Sequence, residues 1–219
     1  MPKSPAAPPP AAAQTRSADR TRKEILAIAT EEFADKGYSG ARIDEIAERT
    51  NTSKRMIYYY FESKEGLYRS VLGQAYGRIR RTEAVAELES MPPVEAMARL
   101  TEITFDYHND HPEFVRLVMN ENIQGGAMIG SLDSTQTRND SVVGMIGDLI
   151  RRGVADGVFR DGLDPLQLHM TMSALSFYNV SNRHTFEKIF DYRMGSPDAV
   201  ARRRAIVVET VLRYCRRDA

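Results

Sequence analysis

The sequence predicts an all-α protein of about nine helices. Strand signals are nearly missing, because no apolar/polar alternation is sustained and no Asn-Gly or Asp-Gly turn joins two β-branched runs. Helix starts are frequent instead. Asp164-Pro165 and Ser196-Pro197 each place a capping residue before a proline at the first helical position. Between such boundaries apolar residues recur every three or four positions, as a helix with one buried face requires.

The N-terminal stretch, Met1 to Ala13, is rich in proline and alanine and has no leucine- or valine-rich centre. It is therefore not typical of a secretory signal. Because these residues bury too little surface to offset the entropy of ordering, we expect a disordered tail over residues 1–18.

The cellular compartment follows from cysteine usage and hydropathy. Cys215 is the only cysteine, which excludes an internal disulfide and a multi-thiolate metal site and favours a reducing compartment. No apolar run approaches the ~18 residues that a bilayer span needs. We therefore expect a cytoplasmic protein without a membrane partner.

The charges are divided unevenly along the chain. The whole sequence has a formal net charge of +0, which excludes a chain that is basic throughout. From residue 1 to residue 80, however, the chain has 14 basic and 10 acidic residues, so this part carries +4 and the remainder −4. A modestly basic N-terminal part therefore precedes an acidic body.

Residues 19–66 have the pattern of three helices that end in a helix-turn-helix. Thr21 and Glu24 fit a capping box for the first helix, and Lys36-Gly37 ends it. Ile43, Ile46 and Ala47 give a second, short helix one apolar face, and the polar turn Thr50 to Thr52 follows. Ser53 is placed to cap a third helix, whose apolar face comprises Ile57, Tyr60 and Phe61. Two short helices across a tight turn predict a DNA-binding domain.

The third helix carries side chains suited to a DNA duplex. Arg55 and Lys54 lie in its first turn, where arginine can donate two hydrogen bonds to a guanine edge, and Met56 suits a thymine methyl. Tyr58 and Tyr59 have hydroxyls that can reach phosphates, and Lys64 follows at the start of the next helix. The predicted DNA-binding residues are Arg42, Ser53, Lys54, Arg55, Met56, Tyr58, Tyr59 and Lys64.

Residues from about 20 to 70 resemble the DNA-binding domain of the TetR family of transcriptional regulators. The resemblance rests on the segments Phe33 to Tyr38, Ile43 to Ala47, Ser53-Lys54, Ile57-Tyr58 with Phe61, and Ser63 to Leu67. The turn reads Thr50-Asn51-Thr52-Ser53 where the family often has Ala-Gly-Val-Ser, and Arg55 stands where many members have glycine.

The resemblance implies that residues 67–219 form a ligand-binding and dimerisation domain. Gly153 to Pro165 is similar to the family's link between its seventh and eighth helices, and the last two long helices would be about Pro165–Arg183 and Pro197–Arg216. In the family these two helices pair across a two-fold axis. Such a homodimer would bind double-stranded DNA at a pseudo-palindromic operator. The expected dimerisation residues, which suit the protomer core equally well, are Leu168, Met172, Leu175, Val207 and Val211.

A small organic effector is the further partner that the resemblance implies. Bulky, partly polar residues on central helices are candidates to line its pocket, although each also suits a plain core: Phe105, His108, Met119, Met145 and Tyr178. Asp106, His108, Asp110 and His111 cluster at a helix end, where they are metal ligands or, on the alternative we favour, solvated polar residues.

The function predicted from these patterns is that of a DNA-binding transcriptional regulator, of the repressor type, and not that of an enzyme. No Gly-x-Ser-x-Gly, His-Glu-x-x-His or phosphate-binding loop motif occurs, and no cofactor is predicted. The alternative is a helical small-molecule-binding protein or enzyme whose helix-turn-helix is structural only.

Overall fold

A computed structural model describes residues 11–84 and 87–217 of the chain. Among these residues it contains ten α-helices, two short 3-10 helices and no β-strand, which confirms the all-α class. Phe159 and Arg216 form one isolated β-bridge. The helices are α1 (Ala11–Gly40), α2 (Ile43–Arg49), α3 (Lys54–Phe61), α4 (Lys64–Ala84), α5 (Pro93–Asp110), α6 (Pro112–Ile123), α7 (Asp133–Ala155), α8 (Pro165–Ser181), α9 (Arg183–Phe190) and α10 (Pro197–Cys215).

The first helix begins earlier than the sequence analysis predicted. α1 begins at Ala11, so residues 11–18 are helical where a disordered tail was expected, and residues 1–10 of that tail lie outside the described residues. The alanines at the start of α1 favour helix strongly, which accounts for the difference. Thr21 lies within α1 and so does not cap its start. Gly37 interrupts α1 as predicted, because its φ of 67° is left-handed.

The chain divides into two compact units, residues 1–71 and 72–219. The division falls within α4, a few residues beyond the predicted boundary after residue 66. In the first unit α1 packs on α2 and α2 on α3. Its core includes Phe33 and Tyr68, whose rings meet edge to face with centroids 4.9 Å apart. This core fixes the positions of the two short helices.

The second unit is built around α5, which packs against α6, α7, α8 and α10. The predicted caps of two of these helices are confirmed. Asp164 Oδ1 accepts hydrogen bonds from the Leu166 and Gln167 amides at 2.8 and 3.1 Å, and Ser196 Oγ accepts one from the Ala199 amide at 3.3 Å. The short helix α9, between them, was not predicted; Asn182 stands at its N-cap, but its side chain makes no capping hydrogen bond and no proline follows it.

The main core of the second unit extends to the end of α10. Met97, Leu100 and Ile146 are fully buried in it, together with Phe159 and Cys215. The segment after α7 is tied to α10 by the Arg160 amide, which donates to the Cys215 carbonyl at 2.9 Å. Burial raises the pKa of the Cys215 thiol to about 11, so this thiol packs in the core as an unreactive side chain.

Within residues 11–84 and 87–217, no helix is both long and apolar enough to cross a bilayer.

Candidate functional site

The turn between α2 and α3 sets up the helix that carries most of the candidate DNA-binding residues. Asn51 adopts a left-handed conformation with φ 48°, which asparagine tolerates better than most residues. Ser53 then caps α3 as predicted, since its Oγ accepts a hydrogen bond from the Met56 amide at 3.2 Å. One of the free backbone amides at the start of α3 is thus satisfied locally, and the helix begins immediately after the turn.

α3 has one buried face and one exposed face. Ile57 and Phe61 are buried in the first unit, and Tyr60 is partly buried. Tyr59 is the most exposed aromatic residue of α3, at 76% exposure. The exposed side chains of α3 and its cap are those predicted to contact DNA: Ser53, Lys54, Arg55, Met56, Tyr58 and Tyr59.

The two cations on this face, Lys54 and Arg55, differ in whether they have an ion-pair partner. Lys54 forms an ion pair with Asp44 of α2, which the sequence analysis missed. Arg55 is exposed and forms no ion pair within the described part of the chain. Arg55 is therefore the cation at the start of α3 that is available to a ligand without exchange of a partner.

Arg42 and Lys64 flank α2 and α3. Arg42 precedes α2, and its backbone amide donates to Glu32 Oε1 at 3.2 Å while its side chain is exposed. Lys64 begins α4 as predicted, but it is partly buried. Its Nζ lies 3.5 Å from the Ser39 carbonyl oxygen and 5.1 Å from the centre of the Tyr38 ring. Tyr38 thus positions Lys64, a role that the sequence pattern did not indicate.

The junction of α3 and α4 depends on Gly66. A Cβ at this position would lie 2.1 Å from the Phe61 carbonyl oxygen, which is far inside contact distance. Ser63 Oγ accepts a hydrogen bond from the Gly66 amide at 2.9 Å and so caps α4. Only glycine permits this close approach, which fixes α4 directly behind α3.

An exposed basic and aromatic helix, held as the second helix of a tight helix-turn-helix, defines a DNA-binding protein of the helix-turn-helix class. Comparison with known families agrees. The sequence matches the family described as "Bacterial regulatory proteins, tetR family" over residues 25–71, and "Tetracyclin repressor-like, C-terminal domain" over residues 93–211. The chain belongs to the TetR family of regulators.

Individual relatives support this assignment. The chain is similar to the HTH-type transcriptional repressor NicS of Pseudomonas putida, with 32% identity over 204 residues that cover 93% of this chain and 96% of NicS. Its fold is similar to that of a tetR-family regulatory protein from Rhodococcus, with a TM-score of 0.72, 18% identity and coverage of 91% and 98%. It is also similar to the fold of the ketosteroid transcriptional regulator KstR2 of Mycobacterium tuberculosis, with a TM-score of 0.68, 19% identity and coverage of 90% and 95%.

A second candidate site is a cavity of about 300 Å³ inside the second unit. Its walls come mainly from α4, α5, α6 and α8. His108 is the one predicted effector residue that lines it. Its other lining residues are Tyr76, Ile79, Arg80, Phe114, Val118, Val143, Leu166, His169, Ser173 and Phe177.

The imidazoles in this cavity are neutral at neutral pH. Burial lowers the pKa of His108, although His108 Nδ1 lies 2.6 Å from the Thr104 carbonyl oxygen, a contact that raises it. Burial, with a contribution from the charge of Arg80, lowers the pKa of His169 to about 4. Arg80 is thus the one cation among the residues that line this cavity.

The other predicted effector residues do not come together at this cavity. Phe105 is fully buried in the core, and Met119 is partly exposed on α6. Met145 lines two other pockets near Leu88, and Tyr178 lines a separate cavity between α8, α9 and α10. These four residues therefore do not share the cavity that His108 lines, because helical spacing does not indicate which face borders a void, and their contact with an effector stays a prediction.

The hypothesis of a metal site at the end of α5 is not supported by its geometry. Asp106 receives two hydrogen bonds from Arg204, at 2.8 and 2.9 Å, and His111 Nδ1 lies 3.0 Å from Glu113. His108 is buried, whereas Asp110 is exposed. In the part of the chain that the structure describes, no three His, Cys, Asp or Glu residues are grouped to hold a metal ion.

The residues expected at the dimer interface are mostly core residues. Leu168, Met172, Val207 and Val211 are buried within the second unit, and Leu175 is partly buried against its core. A side chain that its own protomer buries cannot contact a second chain. The exposed apolar residues on the same two helices, α8 and α10, are instead Leu166, Met170, Tyr178, Ile206 and Tyr214.

Proposed function

We propose that this protein is a transcriptional repressor that binds a pseudo-palindromic operator as a homodimer and is released from it by a small organic effector. In this proposal residues 19–66 bind DNA and residues 67–219 bind the effector and the second copy. The exposed basic and aromatic face of α3 is the observation that carries the proposal. The name of the relative NicS, a transcriptional repressor, agrees with it. Such a protein acts where the DNA is, in the cytoplasm, and carries out no catalytic step.

The proposed contacts with DNA follow from the chemistry of each side chain. α3 enters the major groove, where Arg55 donates two hydrogen bonds to a guanine edge and Met56 contacts a thymine methyl. Tyr58 and Tyr59 donate their hydroxyls to phosphates. The flanking cations Arg42 and Lys64 add phosphate contacts that fix the register, together with Lys54 once Asp44 releases it.

A dimer interface on α8 and α10 accounts for their exposed apolar residues. Met170 and Tyr178 lie two turns apart on one face of α8, and Ile206 and Tyr214 two turns apart on α10. α8 and α10 also pack against each other, so the exposed faces are neighbours. A two-fold axis at this surface would present two copies of α3 to half-sites about 34–36 Å apart, or a multiple of that distance.

The cavity lined by His108 is the proposed effector site. Its volume of about 300 Å³ lies at the lower end of the range for small-molecule pockets. Tyr76 and Arg80, two of its lining residues, belong to α4, the helix that begins at Lys64 in the proposed DNA interface. A ligand that binds better to one position of α4 would shift the equilibrium between conformers with different spacing of the recognition helices.

A gel shift with the DNA upstream of the protein's own gene tests DNA recognition. We expect the double variant Lys54→Ala with Arg55→Ala to abolish specific binding, because it removes the two cations at the start of α3. The matched control removes the same charge elsewhere, by Arg99→Ala with Arg151→Ala, at exposed positions on α5 and α7. The control should bind like the wild type.

A second candidate function is a helical small-molecule-binding protein or enzyme in which the helix-turn-helix is structural only. The cavity in the second unit is the observation that favours it. Unchanged DNA binding by the Lys54 and Arg55 double variant would support this alternative and refute the proposed recognition mechanism.

A further inference from the structure

The polar lining of the proposed effector cavity includes a cation but no anion. Arg80, His108, His169, Ser173 and Tyr76 contribute polar atoms, and no aspartate or glutamate is among the lining residues. The Arg80 side chain is only 11% exposed. Its Nη1 pairs with Glu83 at 2.6 Å, whereas its Nε is buried and has no hydrogen-bond partner. A buried N–H donor is therefore left unused beside the cavity, at a free-energy cost that a ligand could recover.

The charge of Arg80 reaches the groups across the cavity. Burial is the main cause that lowers the pKa values of His108 and His169, and in both cases the positive charge of Arg80 lowers them further. Burial, with a contribution from the charge of Glu121, raises the pKa of Tyr76 to about 12, and the charge of Arg80 opposes that rise. The positive charge of Arg80 thus acts on Tyr76, His108 and His169, which lie on α4, α5 and α8. The two imidazoles are neutral and add no positive charge to the cavity.

Glu83, the ion-pair partner of Arg80, is itself buried and does not line this cavity. Burial is the largest cause that raises the pKa of Glu83, and its attraction to Arg80 only partly compensates. Glu83 contacts Nη1 of Arg80, so a ligand anion at the cavity would meet a guanidinium whose Nε–H donor is still free.

The remaining walls are apolar and include several aromatic rings. The Tyr76 and Phe114 rings meet edge to face with centroids 5.4 Å apart, and the His108 ring lies 5.7 Å from Phe114 and 6.1 Å from Phe177. These rings form apolar surfaces that suit the edges and faces of a flat ligand. A volume of about 300 Å³ is sufficient for one or two fused rings.

We propose that this cavity binds a small planar organic acid, a carboxylate on one or two aromatic rings, whose carboxylate accepts a hydrogen bond from Arg80 Nε. The aromatic ring packs against Tyr76, Phe114 and Phe177. The inference rests on the proposed function, since this acid would be the effector. The cation compensates the desolvation of the ligand carboxylate, which would otherwise be too costly in an apolar cavity.

Matched anionic and neutral probes test the class of ligand. The full-length protein is titrated by calorimetry with benzoate, benzamide, indole-3-carboxylate and indole-3-carboxamide. Each pair has the same shape but differs in charge. We expect at least one acid to bind, with an affinity about tenfold or more above that of its amide, because a charge-assisted hydrogen bond is worth roughly 1.5–3 kcal/mol. Equal binding of acid and amide, or no binding of any of the four, would overturn the inference.

Variants of α4 assign the effect to Arg80. Arg80→Met retains the aliphatic stem and should weaken binding of the acid about tenfold or more without weakening binding of the amide. Arg81→Met, at the exposed neighbouring position, is the control and should bind like the wild type. Since Arg80→Met leaves Glu83 buried without its partner, Arg80→Met with Glu83→Gln serves as a second variant that removes both charges.

The outcomes separate this inference from the proposed function. Retained acid binding in the double variant would refute the role of Arg80 whatever the protein does with DNA. Operator binding without ligand is measured by the gel shift described above, and it does not depend on the probes. A protein that binds its operator but prefers the amides would remain a regulator with a neutral effector.

Discussion

The ammonium of Lys54 has a protein partner before any DNA arrives. Asp44 of α2 pairs with it across the turn, and both side chains are about half exposed. A carboxylate at this place also faces the negative phosphates of a bound duplex. Contact between Lys54 and DNA therefore requires exchange of one anionic partner for another, and the exchange reduces the net gain in free energy.

We expect Asp44→Asn to tighten operator binding about two- to fivefold, because exposed ion pairs are worth roughly 0.2–1 kcal/mol and the repulsion of phosphates is also removed. Titration by fluorescence anisotropy at two salt concentrations measures it. Glu48→Gln is the matched control, since Glu48 is exposed on the same helix but does not pair with Lys54. If both variants gain equally, net charge alone is responsible and the ion pair has no specific effect.

At the residue scale, the sequence predicts exposure better than it predicts partners. The exposed positions of α3 follow from its buried face, because 3.6 residues per turn determine which side chains point away. The pairing of Lys54 with Asp44 depends instead on the angle between two helices, which no local pattern encodes. Asn51 has a left-handed backbone and stands where family members often have glycine. Glycine and asparagine both tolerate this conformation, which explains why asparagine can occupy the position.

At the scale of the helices, the junction of α3 and α4 depends on a single residue, Gly66. The Phe61 carbonyl leaves no room for a Cβ at Gly66. Gly66→Ala should lower the free energy of unfolding by about 1–3 kcal/mol and weaken operator binding, because the start of α4 must move away from α3. Chemical denaturation and the gel shift measure the two effects.

Gly73 provides the control within the same helix. A Cβ at this position would meet nothing within 4 Å. Gly73→Ala should therefore stabilise the protein by about 0.5–1 kcal/mol, because alanine favours helix over glycine. A Gly66→Ala protein that is as stable as the wild type would contradict the steric argument.

At the element scale, prediction succeeded at three helix starts that a capping side chain marks. α3, α8 and α10 begin where Ser53, Asp164 and Ser196 indicate. α9 was missed, and its N-cap residue Asn182 makes no side-chain capping hydrogen bond. The start of α1 was predicted too late, since a plausible capping box at Thr21 and Glu24 lies inside a longer helix. A capping motif permits a helix start but does not require one.

For the molecule as a whole, the proposed dimer makes a prediction about assembly. Ile206→Asp with Met170→Asp places two charges on the exposed face of α8 and α10. We expect a monomer in analytical ultracentrifugation and operator affinity lowered about tenfold or more, because each half-site alone binds weakly. Ile123→Asp, at an exposed position at the end of α6, is the control and should remain dimeric. A double variant that stays dimeric would exclude this surface as the interface.

The cavity and this interface were beyond the reach of sequence reasoning for one physical reason. Apolar periodicity separates buried from exposed faces, but a core, a void and a partner all favour the same residue types. Leu168 and Val211 were therefore assigned to a possible interface although they are core residues, and Arg80 and His169 were not recognised as cavity residues. The class of protein needed only the helix-turn-helix, which is encoded in a short, continuous stretch.

The single cysteine has a practical consequence. Cys215 lies fully buried at the end of α10, and its thiol cannot react with a soluble disulfide reagent until that end of the second unit opens. The rate at which Cys215 is labelled in native buffer thus reports local opening without an engineered label. Any compound that binds only the closed state should slow this labelling, so ligands that stabilise the second unit can be screened without operator DNA.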